Sequence, residues 1–215
     1  MSLQDRKLRE FSRREEEILA ASMHLLDADD WQAVTVEKIA ELAEVGKGTV
    51  YKHFSSKEDI YARLTLDFYE ALLVELAGLD RSQPAVEVLT RGIELALLYH
   101  YHNPEYRRVT QYCKRGDFKK RISTSLQQQF RECDERFKVQ AGELLKACIE
   151  AGAIPDAPFQ QMMYGITTCF EGAVNILWNG ECLGDELDVD EYIDSISGFI
   201  LSGLQGLRIP SGVLS

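Results

Sequence analysis

Apolar residues recur every three or four positions along nearly the whole chain, and no other feature restricts its fold as much. The longest run reads Phe118, Ile122, Leu126, Phe130, Cys133, Phe137, Ala141, Leu144 and Cys148. A period of 3.6 residues sets all of them on one side of a single long helix. Alternating β-branched runs bounded by turns are missing, so strands are not expected. The spacing predicts an all-α chain of about nine helices.

The stop and start signals divide that pattern. A first helix is expected over 14–28, with Ile18, Leu25 and Leu26 on one face, Asp29 and Asp30 ending it and Trp31 packing beneath. Thr35 is a hydroxyl N-cap for a second helix, with Glu37 in its first turn and Val36, Ile39, Ala40 and Ala43 as its buried stripe. A break at Glu44-Val45-Gly46 precedes a short third helix from Lys47 to His53. Ser55 or Ser56 caps a long fourth helix that ends near Gly78. A fifth runs from Pro84 to Tyr101 and a sixth covers 105–114. The seventh opens at Gly116-Asp117 and is stopped by Gly152 and Pro155. Two last helices, 158–179 and 189–207, flank an acidic, glycine-containing loop.

The chain has 215 residues and a formal net charge of −11. Taken alone, that total argues against a polyanionic partner. Its distribution matters more. From Val45 to Lys57 there are Lys47, Lys52, His53 and Lys57 and no acidic residue, and the opening arm adds Arg6, Lys7, Arg9, Arg13 and Arg14. Acidity is concentrated elsewhere, notably over Glu181–Glu191. No signal sequence and no run of about eighteen apolar residues is seen, so a cytoplasmic chain with no membrane partner is expected. The five cysteines (Cys113, Cys133, Cys148, Cys169 and Cys182) are widely spaced, without a C-x-x-C pair, and read as reduced core residues.

The segment from Thr35 to Phe54 has helix-turn-helix mechanics. Ala40 is small where two helices cross, Val45 plugs the turn, and Val50 and Phe54 anchor the third helix. That anchoring leaves Lys47, Gly48, Thr49, Tyr51, Lys52 and His53 outward, a basic and hydroxyl-bearing face suited to a major groove. Competing chemistry has less support. Gly46-Lys47-Gly48-Thr49 lacks the spacing and the preceding strand of a phosphate loop. The histidines of Tyr99-His100-Tyr101-His102 are two apart and face different ways, so no metal site is expected. No catalytic constellation is recognisable, and neither enzymatic activity nor a cofactor is expected.

Gly46 to Ile60, reading Gly-Lys-Gly-Thr-Val-Tyr-Lys-His-Phe-Ser-Ser-Lys-Glu-Asp-Ile, resembles the signature of the tetracycline-repressor (TetR) family of regulators. The close match covers residues 14–64. The resemblance implies an N-terminal three-helix helix-turn-helix domain (1–57) and a C-terminal helical ligand-binding and dimerisation domain (58–215). It implies that Thr35 and Val36 meet DNA, that Lys47, Gly48 and Thr49 read bases, and that Tyr51, Lys52, His53 and Lys57 hold phosphates. It also implies a homodimer on a palindromic double-stranded operator, acting as a repressor relieved by a small-molecule effector. Glu44 departs from the family's usual turn Gly, and Gly46 from its usual Ser or Thr cap.

The resemblance implies a pocket among the fourth to eighth helices without saying what lines it. Candidates by composition are Phe68, Leu72, Phe130, Cys133, Phe137 and Phe170, with Gln111, Glu171 and Asn175 as polar contacts to an apolar, aromatic ligand. The last two helices, with small Gly165, Cys169 and Gly172, suit a four-helix bundle across a two-fold axis. Ile166, Phe170, Ala173, Leu177, Ile193, Ile196, Phe199, Ile200, Gly203 and Leu207 are its expected dimer contacts. The alternative from another class is a helical ligand-binding or structural dimer without DNA binding. It explains the acidic total but not the acid-free window.

Overall fold

The computed structural model describes residues 3–26 and 33–207. The helix end expected at Asp29 and Asp30, and Trp31 beneath it, lie outside them. The described residues form α1 (Leu3–Leu26), α2 (Val36–Leu42), α3 (Lys47–His53), α4 (Lys57–Ala77), α5 (Ala85–His102), α6 (Arg107–Cys113), α7 (Thr124–Glu150), α8 (Phe159–Asn179), a hairpin β1 (Glu181–Cys182) and β2 (Asp185–Glu186), and α9 (Val189–Gln205). The described residues are all-α apart from that hairpin. The chain divides into two compact units, residues 1–70 with 105–133, and residues 71–104 with 134–215.

In the first unit, α1 begins well before residue 14. Arg13 and Arg14 each bridge Glu10 and Glu17, at 2.7–3.2 Å. Such pairs, one turn apart, support a polar helix that shows no apolar stripe. The α2 N-cap is as expected: Thr35 Oγ1 accepts from Lys38 N at 3.3 Å. Its C-terminus closes by two backbone bonds, Val45 N to Ala40 O at 2.9 Å and Glu44 N to Glu41 O at 3.1 Å. This double closure requires a left-handed residue, normally Gly. Here Glu44 takes it, at φ +53°.

At the start of α4 it is Ser56 that caps, its Oγ accepting from Asp59 N at 3.1 Å. Asp59 is buried, and its Oδ1 accepts from Ser123 N at 2.8 Å. That bond satisfies an amide at the entry to α7, which begins at Thr124 and not at Gly116. Before it lies a 3₁₀ turn, Phe118–Lys120. Phe118 and Ile122 are both buried. Their spacing imitates a helix, although the chain between them is a turn.

In the second unit α5, α8 and α9 pack on one another. Leu89, Ile93 and Leu97 of α5 meet Ala173, Val174 and Leu177 of α8 and Ile193, Ile200 and Leu204 of α9 in one core. Trp178 Nε1 donates to His100 O at 2.8 Å. His100 Nδ1 lies 2.7 Å from Ala96 O, which assigns the proton to that nitrogen. His100 is buried and His102 exposed, and among the described residues no group of His, Cys, Asp or Glu could hold a metal. The acidic loop closes as a hairpin with Glu181 opposite Glu186 and Cys182 opposite Asp185. Leu183 and Gly184 turn it at φ +57° and +91°, the twist that two-residue hairpins need. A leucine at positive φ gives no sequence signal for such a turn.

None of the five cysteines is in a disulfide. Cys113 packs against α4, where its Sγ accepts from Thr65 Oγ1 at 3.1 Å, and burial pushes its thiol up to about 12. No helix among the described residues is long and apolar enough to cross a membrane.

The Glu44 turn yields a test of stability. A non-Gly residue in the left-handed region costs about 1–2 kcal/mol, while Gly loses about 0.5–1 kcal/mol more backbone entropy on folding than Ala. Glu44→Gly is expected to stabilise the chain by about 0.5–1 kcal/mol. The readout is a higher urea midpoint at unchanged slope.

Candidate nucleic-acid interface

α3 is seven residues long, too short to stand alone, so its orientation is set by its burial. Val50 is 1% and Phe54 6% exposed, in a unit whose core also holds Ile18, Ile39 and Ala40. Phe54 ends the helix at φ −133° while its amide still bonds Val50 O. The opposite face carries Lys47, Gly48, Tyr51 and Lys52 in solvent, with Thr49 half-buried. Tyr51 is 49% exposed, with the Lys47 ammonium 5.7 Å from its ring centroid. Gly48 is informative for what it lacks. A Cβ built there meets no atom within 4 Å. Packing therefore does not demand glycine at a helical site where it costs about 1 kcal/mol against Ala. The glycine leaves that point of the helix open to close approach from outside.

The window without acidic residues in sequence is not acid-free in space. Glu37, on α2, forms an ion pair with Lys47. The hydrogen bond from Lys47 holds the Glu37 carboxyl below the usual range, and the same bond holds the ammonium above its own. Both groups are exposed, so the pair is weak and open to competition by a phosphate. Sequence reasoning gave Glu37 only a helix-dipole role; its partner across the turn was not legible from spacing.

Four expected contacts stand differently from the rest. Thr35 is exposed, but its hydroxyl already caps α2, and Val36 is buried at 8%. His53 does not project outward. Its side chain is 3% exposed, with the Phe11 ring of α1 stacked 3.9 Å away, centroid to centroid. Nδ1 is buried without a hydrogen bond, 3.6 Å from Glu15 Oε2. The unforeseen N-terminal length of α1 supplies the residue that covers it. Lys57 donates to Val34 O at 2.8 Å and lies 5.8 Å from the Tyr61 ring, so its ammonium is already held within the unit.

The pocket candidates do not gather in one unit. Phe68, Gln111, Phe130 and Cys133 belong to the first, and Leu72, Phe137, Phe170, Glu171 and Asn175 to the second. Gln111, Glu171 and Asn175 are exposed, whereas Phe68, Leu72 and Cys133 are buried. The second unit has a groove of about 660 Å³ bounded by Glu75, Leu79, Glu87, Val88, Arg91 and Leu95, among others, and by none of these candidates. Of the expected dimer contacts, Ala173, Leu177, Ile193 and Ile200 are part of the second unit's own core, and Ile166, Phe170, Ile196 and Leu207 are half-buried beside it. Phe199, 66% exposed, and Gly203 face solvent. Tyr164, 65% exposed on α8, was not foreseen.

Residues 18–64 match the family model described as bacterial regulatory proteins, tetR family. The nucleoid occlusion factor SlmA of Vibrio vulnificus is 31% identical over 100 residues, 46% of this chain and 51% of that protein. The chain thus spans about half the length of the curated relatives it matches. Among solved structures, a bacterial regulatory protein in the tetR family from Rhodococcus RHA1 superposes with a TM-score of 0.72 at 17% identity, over 91% of this chain and 98% of that one. FadR from Bacillus subtilis, solved in complex with stearoyl-CoA, gives 0.67 at 19% identity, over 89% and 97%. Residues 18–64 thus form a domain of the tetR family of bacterial regulatory proteins, in a chain whose fold solved structures share.

Proposed function

We propose that the chain is a DNA-binding transcriptional regulator, a homodimer that represses from a palindromic operator and is released by a small-molecule effector. One observation carries the reading: burial of Val50 and Phe54 leaves Lys47, Gly48, Tyr51 and Lys52 in solvent on a short helix. In this reading Lys47, Gly48 and Thr49 approach base edges, Tyr51 and Lys52 hold phosphates, and Thr35 and Val36 approach the backbone from α2. Glu37 yields Lys47 to the DNA. Lys57 and His53 act by fixing the helix and not by touching phosphate.

The outer face of α8 and α9 supports the dimer. Phe199 and Tyr164 are exposed there, and a Cβ at Gly165, Gly172, Gly198 or Gly203 meets nothing within 4 Å. Small residues with no internal reason to be small suit close helix approach across a two-fold axis. The effector is proposed to bind the C-terminal part and to act through α4, whose residues contribute to both compact units. The stearoyl-CoA held by the Bacillus subtilis neighbour makes an effector with a long apolar body the first class to screen. DNA is released when the two recognition helices no longer match the half-site spacing.

Three measurements test the reading. On duplexes selected from genomic fragments, Lys47→Ala with Tyr51→Ala is expected to weaken binding by about 100-fold or more. Unchanged affinity means the assigned face is wrong. Replacing His53 by Phe removes a buried, unpaired nitrogen and is expected to leave DNA affinity intact while raising stability by about 1 kcal/mol; lost affinity at normal stability restores His53 as a phosphate contact. Phe199→Glu puts a charge on the proposed dimer face, and sedimentation is expected to show monomer where the parent chain is a dimer. A dimeric variant locates that interface elsewhere.

A further inference from the structure

Resting on the DNA-binding reading, we infer that the segment joining α6 to α7 is a second DNA-backbone surface, separate from the helix-turn-helix. Between Arg107 and Arg121 the chain carries seven basic residues and one acidic residue, Asp117, against a total of −11 for the whole protein. No other stretch outside the helix-turn-helix has such a balance. Lys114, Arg115, Lys119, Lys120 and Arg121 are all exposed.

Their exposure is enforced and not incidental. Phe118, 2% exposed, packs edge-on against Tyr112 and Phe130, with centroids 5.7 and 6.4 Å away, and Ile122 is 6% exposed. These two anchors close the 3₁₀ turn from both sides and leave Lys119, Lys120 and Arg121 on its exposed side, with Arg121 bridged to Asp117 at 2.5 Å. Arg115 lies 5.7 Å from the centroid of the Tyr112 ring and 3.8 Å from the Asp117 carboxylate. The arrangement repeats that of α3, where buried Val50 and Phe54 bracket an outward basic face.

Placement selects the partner. The segment belongs to the same compact unit as α1, α2 and α3. It is pinned to the first turns of α4, immediately after the recognition helix. Tyr112 Oη donates to Glu58 Oε1 at 3.2 Å, Asp59 accepts from Ser123 N at 2.8 Å, and the Tyr61 and Tyr112 rings meet at 5.6 Å. On α6, Arg108 donates to Leu26 O at 2.7 Å, tying the segment to the end of α1 as well. A basic turn held this firmly beside α4's start lies on the flank of whatever α3 grips. A duplex held by α3 continues past it as a row of phosphates, one negative charge per about 1.7 Å of axis. Lysine ammoniums, point charges on long flexible stems, suit phosphates more than base edges, so the surface adds affinity without sequence preference.

The test compares the full-length chain with Lys119→Gln/Lys120→Gln/Arg121→Gln on a selected operator duplex, once cut to its minimal length and once extended by about ten base pairs, one helical turn, on each side. Fluorescence anisotropy is read at several salt concentrations. The triple variant is expected to lose about tenfold or more on the extended duplex, with a salt slope shallower by about 0.9 for each phosphate contact removed, and little on the minimal one. The charge-preserving Lys119→Arg/Lys120→Arg/Arg121→Lys should bind like the parent chain, which separates charge from folding. If the triple variant matches the parent in affinity and salt slope on the extended duplex, the inference is overturned while the helix-turn-helix reading stands. The same holds if it loses only binding to phosphatidylglycerol vesicles or to an acidic protein. If the parent chain binds no duplex, both fall.

Discussion

Burial of Val50 and Phe54 decides what the N-terminal part of this chain can be. A seven-residue helix has no stability of its own, and its direction is whatever its buried side chains allow. With those two inside, Lys47, Tyr51 and Lys52 have one place to go. The turn before α3 serves the same end. Val45 and Glu44 close α2 onto its own last carbonyls, at the cost of a left-handed glutamate, and the chain leaves at an angle fixed by backbone bonds. The recognition face is thus a consequence of core packing, and its chemistry is free to vary without disturbing the fold.

A second constraint begins one turn later. Asp59 is buried in α4, and its carboxylate has a single task visible in the structure: accepting the Ser123 amide. A buried carboxylate without a partner is costly, and so is a helix entry with unsatisfied amides. Each solves the other's problem. The bond is between residues far apart in sequence, and it locates the α6–α7 segment against α4 with Tyr112 and Glu58 as neighbours. Everything basic between Arg107 and Arg121 inherits its position from that contact.

What was legible in the sequence was whatever local periodicity or capping chemistry controls. The Thr35 cap, the short α3, the Pro84 start of α5 and the pairing of α8 with α9 follow from residues within a few positions of one another. What was not legible depended on partners elsewhere. α1 extends to Leu3 because arginines and glutamates bridge one turn apart, a pattern that carries no apolar period. α7 starts late because Phe118 and Ile122 satisfy a helical spacing while lying on a turn. His53 looked outward by its position on α3, and Phe11 covers it. The dimer-face residues showed the same limit: a stripe wide enough for two neighbours does not say which edge is used inside the chain. Ala173, Leu177, Ile193 and Ile200 are used inside, and Phe199 and Tyr164 are not.

The acidic total and the proposed polyanionic partner are reconciled by distance. At physiological salt, exposed charges more than about 8 Å apart are largely screened from each other, so a phosphate responds chiefly to the groups nearest it. Binding then depends on how many basic groups one surface can hold against the phosphates, and on how many acids stand among them. The helix-turn-helix is less basic than its sequence suggests, because Glu37 faces Lys47 and two arginines of α1, one exposed and one half-buried, are tied to glutamates. Four outward residues of α3, two of them lysines, are a thin hold on a duplex for a protein that repels it elsewhere. The α6–α7 turn holds five exposed basic residues in the same unit with one carboxylate among them. An acidic body leaves nonspecific binding weak, so two separated basic faces engage together only where a duplex already fits the first.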